Sequence, residues 1–320
     1  MSIIKGISRL IRLPNLIMVV LTMYIMRWSI VRPILDLMGF EPEMPEWSFA
    51  LLVLSTLLIT AAGNVINDFH DVRADRVNNP GRVVIDSLVS RRQAIFAHFM
   101  LNSIGVVIGV FVSFFHKIEW LSLIFLAVPV LLWSYSLTLK HLPLLGNLTI
   151  SILTGNVPLL VLLFEYPLLT RAHADALILE PQLFSPVLYW IIAFSIFAFL
   201  TNLIRELIKD GQDIPGDSEV GSKTIAIKMG IGALKWLIII LSFLTVILLG
   251  LIFLLFLPDW ISLVYFIVFL ALPFIVLLFK LVKVNSSADF KPVSSLVKLI
   301  MFFGILYAPI AYFIMQSFIA

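Results

Sequence analysis

The sequence contains no cysteine and has few charged residues. Of its 320 residues, 13% are charged and 61% are hydrophobic. The absence of cysteine excludes disulfides, zinc–thiolate sites, covalent haem attachment and thiol catalysis. Soluble domains contain roughly 25% charged and ~45–50% apolar residues, so this chain has too little polar material to cover a globule in water. The composition therefore indicates a protein whose main solvent is lipid.

Nine apolar stretches are long enough to cross a bilayer, which requires roughly 20 residues of helix. The basic N-terminal segment runs into the first stretch without a small-residue cleavage site, so we expect a membrane helix there and not a signal peptide. Backbone groups in lipid need internal partners, which favours helices. We predict an all-α, polytopic membrane helix bundle. Its spans are predicted at about 13–31, 47–67, 94–115, 118–138, 144–164, 186–206, 233–257, 260–282 and 295–318.

The basic residues give these spans an orientation. With the N-terminus in the cytoplasm, 18 of the 22 Lys and Arg residues fall on the cytoplasmic side, as the positive-inside rule requires. The sequence thus predicts a multi-pass protein of the cell membrane with a cytoplasmic N-terminus and active site. Three long loops are predicted, two cytoplasmic and one outside: 68–93, 207–232 and 165–185.

An acidic motif follows the second span. It reads Asn64-Val-Ile-Asn67-Asp68-Phe-His-Asp71-Val-Arg-Ala-Asp75. Residues three, four and seven positions apart share one face of a helix, so these amide and carboxylate oxygens are predicted to lie together.

A second acidic motif follows the sixth span. It reads Glu206-Leu-Ile-Lys209-Asp210-Gly-Gln-Asp213-Ile-Pro-Gly-Asp217, and it repeats the spacing of the first motif at the same offset throughout. A spacing written twice after two spans indicates an internal pseudo-repeat, with two sites that face a central cleft. Pro215-Gly216 is expected to interrupt the helix and to place Asp217 on a turn.

The two motifs concentrate negative charge at one membrane boundary. Such carboxylates repel one another unless cations hold them. Mg²⁺ prefers oxygen ligands and bridges carboxylates to phosphate oxygens, and metals with basic residues stabilise a departing pyrophosphate. The pattern therefore predicts a Mg²⁺ site for a diphosphate, with basic residues on the same side: Arg73, Arg76, Arg82, Lys140, Lys209 and Lys223.

These motifs resemble the two signatures of the UbiA superfamily of intramembrane prenyltransferases. The first match is Asn67-Asp68-x-x-Asp71-x-x-x-Asp75, and the second is Asp213-x-x-x-Asp217 followed by Lys223-Thr-Ile-Ala. The nine spans fit the nine-helix architecture of that family over the whole chain. The resemblance thus implies one prenyltransferase domain over residues 1–320.

The resemblance also implies roles for individual residues. Asn67, Asp71 and Asp75 would bind one Mg²⁺–diphosphate, and Asp213 and Asp217 the other. Asp68 and Asp210 would be alternate ligands or would support the ligands. The residues that would contact the diphosphate are Arg82, Lys140, Lys209 and Lys223, and those expected to line the cleft are Asn64, Tyr135 and Asn147. The chain departs from the family after the first motif, where many members have Arg-Pro-Leu-x-Ser-Gly and this chain has Arg82-Val-Val-Ile-Asp86-Ser87.

Within the superfamily, the second motif looks most like the branch that prenylates geranylgeranylglyceryl phosphate. The implied partners are a prenyl diphosphate such as geranylgeranyl diphosphate, a lipophilic acceptor and membrane lipids, with no nucleic acid and no obligate protein partner. Prenylation of an aromatic acid or of haem is the open alternative.

Two other classes share some of these features. A secondary transporter also uses acidic residues and repeats, but its charges and broken helices lie near the middle of the spans. A CDP-alcohol phosphotransferase would have an Asp-Gly-x-x-Ala-Arg opening, which is absent here. The sequence therefore favours a prenyltransferase, and the transporter is the alternative of another class.

Overall fold

The protein is described by a computed structural model that covers residues 3–257 and 259–317, without the side chains of residues 3, 4 and 82. Over these ranges it is built from α-helices, with π-helical turns at Met26–Val31 and Phe266–Ala271. The α-helices are, in order, α1 (Ile3–Leu10), α2 (Leu13–Ile25), α3 (Arg32–Leu37), α4 (Glu46–Asn78), α5 (Arg91–Phe115), α6 (Ser122–Leu137), α7 (Leu145–Ala172), α8 (Ala174–Leu179), α9 (Ser185–Glu219), α10 (Ile225–Phe256), α11 (Trp260–Tyr265), α12 (Leu272–Val282) and α13 (Phe290–Gln316).

Nine helical stretches in the described residues are long and apolar enough to cross a membrane. They match the predicted spans in number and order, which confirms an all-α, multi-pass membrane protein. The stretches are Leu13–Leu37, Glu46–Asn78, Arg91–Phe115, Glu119–Leu137, Leu145–Ala172, Ser185–Glu219, Ile225–Phe256, Trp260–Val282 and Ser287–Gln316.

The chain forms two compact units. The first comprises residues 1–24, 42–140 and 160–184, and the second comprises 25–41, 141–159 and 185–320. The prediction of one domain over 1–320 stays a prediction.

The first unit is organised around α4, against which α5 and α6 pack. At Gly105 the backbones of α4 and α5 approach so closely that a Cβ atom would lie 2.8 Å from Ile59 Cγ1. Ser55 Oγ donates a hydrogen bond to the Gly105 carbonyl over 2.6 Å. The start of α5 is fixed by a capping box, in which the Ser90 and Gln93 side chains each bond to the other residue's backbone N–H.

The second unit is organised around α9, which packs against α10 and α13. Its apolar core includes Ile204, Leu207, Leu277 and Ile300, which are fully buried. The same helix carries the second acidic motif, so packing of its apolar face sets the position of its carboxylates.

The three segments predicted to be long loops are largely helical, and the loop predictions are therefore wrong. The second span continues as helix from Asp68 to Asn78, since no glycine or proline occurs before Pro80-Gly81. The segment 165–185, predicted to lie outside, is helical at the end of α7 and in α8. Helical structure therefore extends beyond the apolar runs, because most of the stability of a helix in a protein comes from its tertiary packing and hydropathy does not report where that packing ends.

The prediction that Pro215 interrupts the helix and places Asp217 on a turn is also wrong. Helix α9 continues through Pro215 to Glu219. One turn earlier α9 packs closely on the start of α13, where a Cβ on Gly211 would lie 2.5 Å from Phe290 Cε2. Gln212 Nε2 donates a hydrogen bond to the Phe290 carbonyl over 3.0 Å. This tertiary contact offsets the backbone hydrogen bond that proline removes.

Candidate active site

In the first unit, the first acidic motif forms a polar cluster at the end of α4. Asn67 Nδ2 donates a hydrogen bond to Asp71 Oδ2 over 2.8 Å, one helical turn away. Lys140 Nζ donates to Asp71 Oδ1 over 2.6 Å and to Asn67 Oδ1 over 3.5 Å. The Lys140 side chain is only 10% exposed, so this contact is made largely out of water. Three residues that the sequence assigned to one site are thereby brought together.

Asp68 lies beside this cluster and forms an ion pair with Arg12. The Arg12 Nη2 to Asp68 Oδ1 distance is 2.8 Å, and both side chains are partly exposed. Burial lowers the pKa of the Arg12 guanidinium, but the Asp68 carboxylate, with smaller contributions from Tyr135 and Asp71, outweighs it and the net pKa is raised. Asn64 Nδ2 donates to the Ile11 carbonyl over 2.9 Å. The first turns of the chain are thus attached to the acidic face of α4.

Arg12 is a residue of the site that the sequence reasoning missed. From the sequence, Arg12 was interpreted only as one of the basic residues that precede the first span. Its position immediately before the first span is a weak signal for a side chain that could reach a neighbouring helix end. The partner, 56 residues away, is set by packing.

In the second unit, the second acidic motif lies on α9 and is contacted by a side chain from α7. Asn147, on α7, is buried, and its Nδ2 donates a hydrogen bond to Asp210 Oδ2 over 3.0 Å. One turn along α7, Ser151 Oγ accepts from Asn202 Nδ2 over 3.4 Å. Glu206 pairs with the neighbouring Arg205. Asn147, one of the three residues predicted to line the cleft, therefore contacts a carboxylate of the motif directly.

The chain after α9 turns back within the second unit. The Lys223 N–H donates to the His141 carbonyl over 2.9 Å, and the Ser222 hydroxyl lies 2.7 Å from His141 Nδ1. Lys223 itself is exposed. The His141–Ser222 contact, which the sequence did not predict, fixes the turn that leads into α10.

Most of the other predicted residues lie on α4 and α9. Asp75 on α4 and Lys209, Asp213 and Asp217 on α9 are all partly buried, as is Tyr135 near the end of α6. The prediction for the Arg82 side chain falls outside the described residues. The shared cleft between the two motifs stays a prediction.

A metal site needs several oxygen donors directed at one point. In the described part of the chain, no group of three or more His, Asp or Glu side chains is arranged to hold a metal ion. Instead, a positive charge already lies at the first motif, because Lys140 Nζ contacts both Asp71 Oδ1 and Asn67 Oδ1. Hard oxygen donors that attract a cation in this way suit Mg²⁺.

Comparison with known proteins gives a family match over most of the chain. The model of the UbiA prenyltransferase family matches residues 37–313. A digeranylgeranylglyceryl phosphate synthase of Korarchaeum cryptofilum is 31% identical over 261 residues, which cover 80% of this chain and 83% of that protein. The enzyme of the same name from Methanosarcina mazei is 31% identical over 210 residues, covering 66% of this chain and 65% of that protein. The match to this relative thus spans just under two thirds of its length.

Two solved structures share the fold. The superposition on a structure of digeranylgeranylglyceryl phosphate synthase covers 98% of this chain and 99% of that chain, with a TM-score of 0.62 at 22% sequence identity. The superposition on an Archaeoglobus fulgidus UbiA homologue bound to GPP and Mg²⁺ covers 95% of this chain and 99% of that chain, with a TM-score of 0.56 at 17% sequence identity. At these identities the likeness shows the fold.

Proposed function

Because the chain belongs to the UbiA prenyltransferase family, we propose that it transfers a prenyl group from a polyprenyl diphosphate to a lipophilic acceptor. The donor is geranylgeranyl diphosphate and the acceptor is geranylgeranylglyceryl phosphate. Two relatives named digeranylgeranylglyceryl phosphate synthase support this acceptor. A homologue bound to GPP and Mg²⁺ supports the donor class and the metal.

The observation that carries the proposal is the polar cluster at the end of α4. A membrane-spanning helix ends there in an Asn67–Asp71 pair with a largely buried lysine on its carboxylate. Burying these charged groups costs desolvation free energy. A helix end with only a structural role would not require that cost. A diphosphate requires cationic groups for its oxygens and anionic groups for its metal ions, and this cluster supplies both.

The residues that would hold Mg²⁺ are Asn67, Asp71 and Asp75 in the first motif and Asp213 and Asp217 in the second. When bound, Mg²⁺ neutralises the diphosphate and stabilises the charge that develops on the departing pyrophosphate. Asp68 and Asp210 then have supporting roles, since Arg12 and Asn147 respectively bond to them.

The side chains of this chain position the reactants. Lys140 Nζ, now on Asp71, can donate to a diphosphate oxygen, and Lys209, Lys223 and Arg82 would add positive charge. In the reaction the bond between the prenyl carbon and the diphosphate oxygen breaks, and the acceptor hydroxyl oxygen forms the new carbon–oxygen bond. The hydroxyl proton passes to a carboxylate of the motifs. The products are the prenyl ether and pyrophosphate.

Topology is part of the proposal. The basic residues favour a cytoplasmic N-terminus and a cytoplasmic active site. Labelling of single cysteines added to this cysteine-free chain would test the sidedness. Membrane-impermeant reagents applied to intact cells are expected to label a cysteine at Asp175 and to leave one at Asn78 unlabelled. The reverse pattern would contradict the assignment.

A competition assay on the purified protein in nanodiscs tests the function. Geranylgeranyl diphosphate and Mg²⁺ would be offered with geranylgeranylglyceryl phosphate, 4-hydroxybenzoate and dihydroxynaphthoate, and products would be followed by mass. We expect digeranylgeranylglyceryl phosphate, formed only with Mg²⁺. A prenylated aromatic product would overturn the acceptor and retain the reaction class. The absence of any metal-dependent product would overturn the enzyme assignment and favour a transporter.

Arg12→Gln should weaken the site without removing it. The substitution releases Asp68, whose carboxylate then lies free beside Asp71, so we expect kcat/KM to fall by about 10-fold to 100-fold, as for loss of residues that support metal ligands. Arg12→Lys keeps the charge and should lose less. Arg9→Gln, three residues earlier at an exposed position of α1, is the matched control. Equal activities in Arg12→Gln and Arg9→Gln would show that the ion pair has no part in the site.

A further inference from the structure

An apolar cavity lies in the second unit, at the end of α9 that is remote from the acidic motif. Its volume is about 560 Å³, within the ~300–1,000 Å³ of pockets that hold small molecules. Its walls come from the start of α9, the end of α10, α11 with the π-helical turn after it, and α13. The aromatic lining residues include Trp190, Phe194, Phe253, Tyr265, Phe266 and Tyr307.

The residues that line the cavity and those of the second acidic motif lie on opposite faces of α9. Trp190, Phe194 and Phe197 line the cavity at intervals of about one helical turn. At ~100° per residue, Trp190 and Asp210 point in nearly opposite directions, and they are about 30 Å apart along the helix axis. The cavity is therefore separate from the residues proposed to bind the diphosphate.

The depth of the cavity corresponds to one leaflet of a bilayer. Its lining runs along α9 from Pro186, in the first turn, to Phe197, which is about 16 Å at 1.5 Å per residue. The hydrocarbon core of a bilayer is ~30 Å thick, so half of it is ~15 Å. At the same end, Trp260 is 75% exposed at the start of α11, where interfacial tryptophans occur.

The few polar groups of the cavity lie at its interfacial end. Ser262 Oγ is 2.7 Å from the Tyr307 hydroxyl, and Asp259 Oδ1 accepts the Ser262 N–H over 2.8 Å. Tyr265 donates its hydroxyl proton to the Phe303 carbonyl over 2.6 Å. The remaining lining is almost entirely apolar. The π-helical turn that begins at Phe266 lines the cavity too, and such turns are frequent at functional sites.

We propose that this cavity binds one hydrocarbon tail of a membrane lipid, from the leaflet opposite the second acidic motif. The Ser262–Tyr307 hydroxyl pair faces the first oxygen of that tail, and the aromatic walls enclose the chain. Water is absent at this depth, so hydrocarbon fills an apolar cavity there. The bound tail packs between α9, α10 and α13. This inference is independent of the transfer reaction.

Native mass spectrometry of protein released from nanodiscs of dioleoyl phosphatidylglycerol tests the site. The wild-type protein should retain one lipid. Ala193→Phe extends a ring into the cavity from its wall, so retention should fall at least tenfold. Ala233→Phe, on α10 and outside the lining, is the matched control and should retain lipid like the wild type. Equal retention in all three proteins would overturn the proposal.

A second measurement distinguishes a membrane lipid from a substrate tail and applies even if Ala193→Phe fails to fold. Lipid brominated along its tail should quench the fluorescence of Trp190, so the quenched fraction should drop in Trp190→Phe. Added geranylgeranyl diphosphate should leave this quenching unchanged. Quenching that is the same with and without Trp190, or that one equivalent of geranylgeranyl diphosphate abolishes, would overturn the membrane-lipid assignment.

Discussion

Replacing Asp71 by Asn is expected to reduce prenyl transfer by at least ~10²–10³-fold, the loss seen when one preorganised electrostatic group of an active site is removed. Asp71 accepts hydrogen bonds from both Asn67 and Lys140. The amide retains the shape of the side chain but removes its charge. It therefore weakens the affinity for Mg²⁺ and replaces the carboxylate that Lys140 contacts by a neutral amide. The initial rate with geranylgeranyl diphosphate, measured across a Mg²⁺ titration, checks the expectation.

The control for this variant is Asp175→Asn. Asp175 is an exposed aspartate on the short helix α8, so it tests the loss of one surface charge without contact to the motif. Both variants should elute as the wild-type protein does in gel filtration, which separates lost chemistry from lost folding. An Asp71→Asn protein that turns over within threefold of the wild type at saturating Mg²⁺ would refute the assignment of this carboxylate.

Replacing Glu165 by Leu is expected to lower the free energy of unfolding by about 2–5 kcal/mol, since the buried Met44 N–H and the partly buried Glu43 N–H lose this acceptor, at ~1–3 kcal/mol for a fully buried donor. Glu165, on α7, is fully buried. Its Oε1 accepts the backbone N–H groups of Glu43 at 2.5 Å and of Met44 at 3.2 Å. This carboxylate therefore fixes the connection that leads into α4, the helix that carries the first motif.

Unfolding of detergent-solubilised protein, followed by tryptophan fluorescence, measures the effect of this substitution. Glu165→Gln keeps a side-chain oxygen as acceptor and should lose less than half as much stability. Glu180→Leu, at an exposed position, should stay within ~0.5 kcal/mol of the wild type, as surface substitutions do. A Glu165→Leu protein as stable as Glu180→Leu would show that other groups satisfy the two N–H donors.

The structure also explains why two helices were longer than their apolar runs predicted. Hydropathy predicts which residues of a helix lie in lipid. It does not predict at which residue the helix ends in water. Helix α4 continues to Asn78 because its polar continuation, from Asp68 onward, contains no glycine or proline before Pro80. Helix α9 passes Pro215 because Gly211 and Gln212 pack on Phe290. The first continuation was readable from the sequence, whereas the second depends on a contact between distant residues.

The sequence by itself determined the number and order of the spans and the spacing of both acidic motifs. These are local properties, because hydrocarbon leaves a chain few options other than a helix and helical periodicity sets which side chains share a face. Only the tertiary structure decided which partners meet, such as Arg12 with Asp68, Asn147 with Asp210, and Glu165 with Glu43, pairs separated by 56, 63 and 122 residues. Periodicity gives the direction in which a side chain points, but the neighbour it meets depends on how the helices pack.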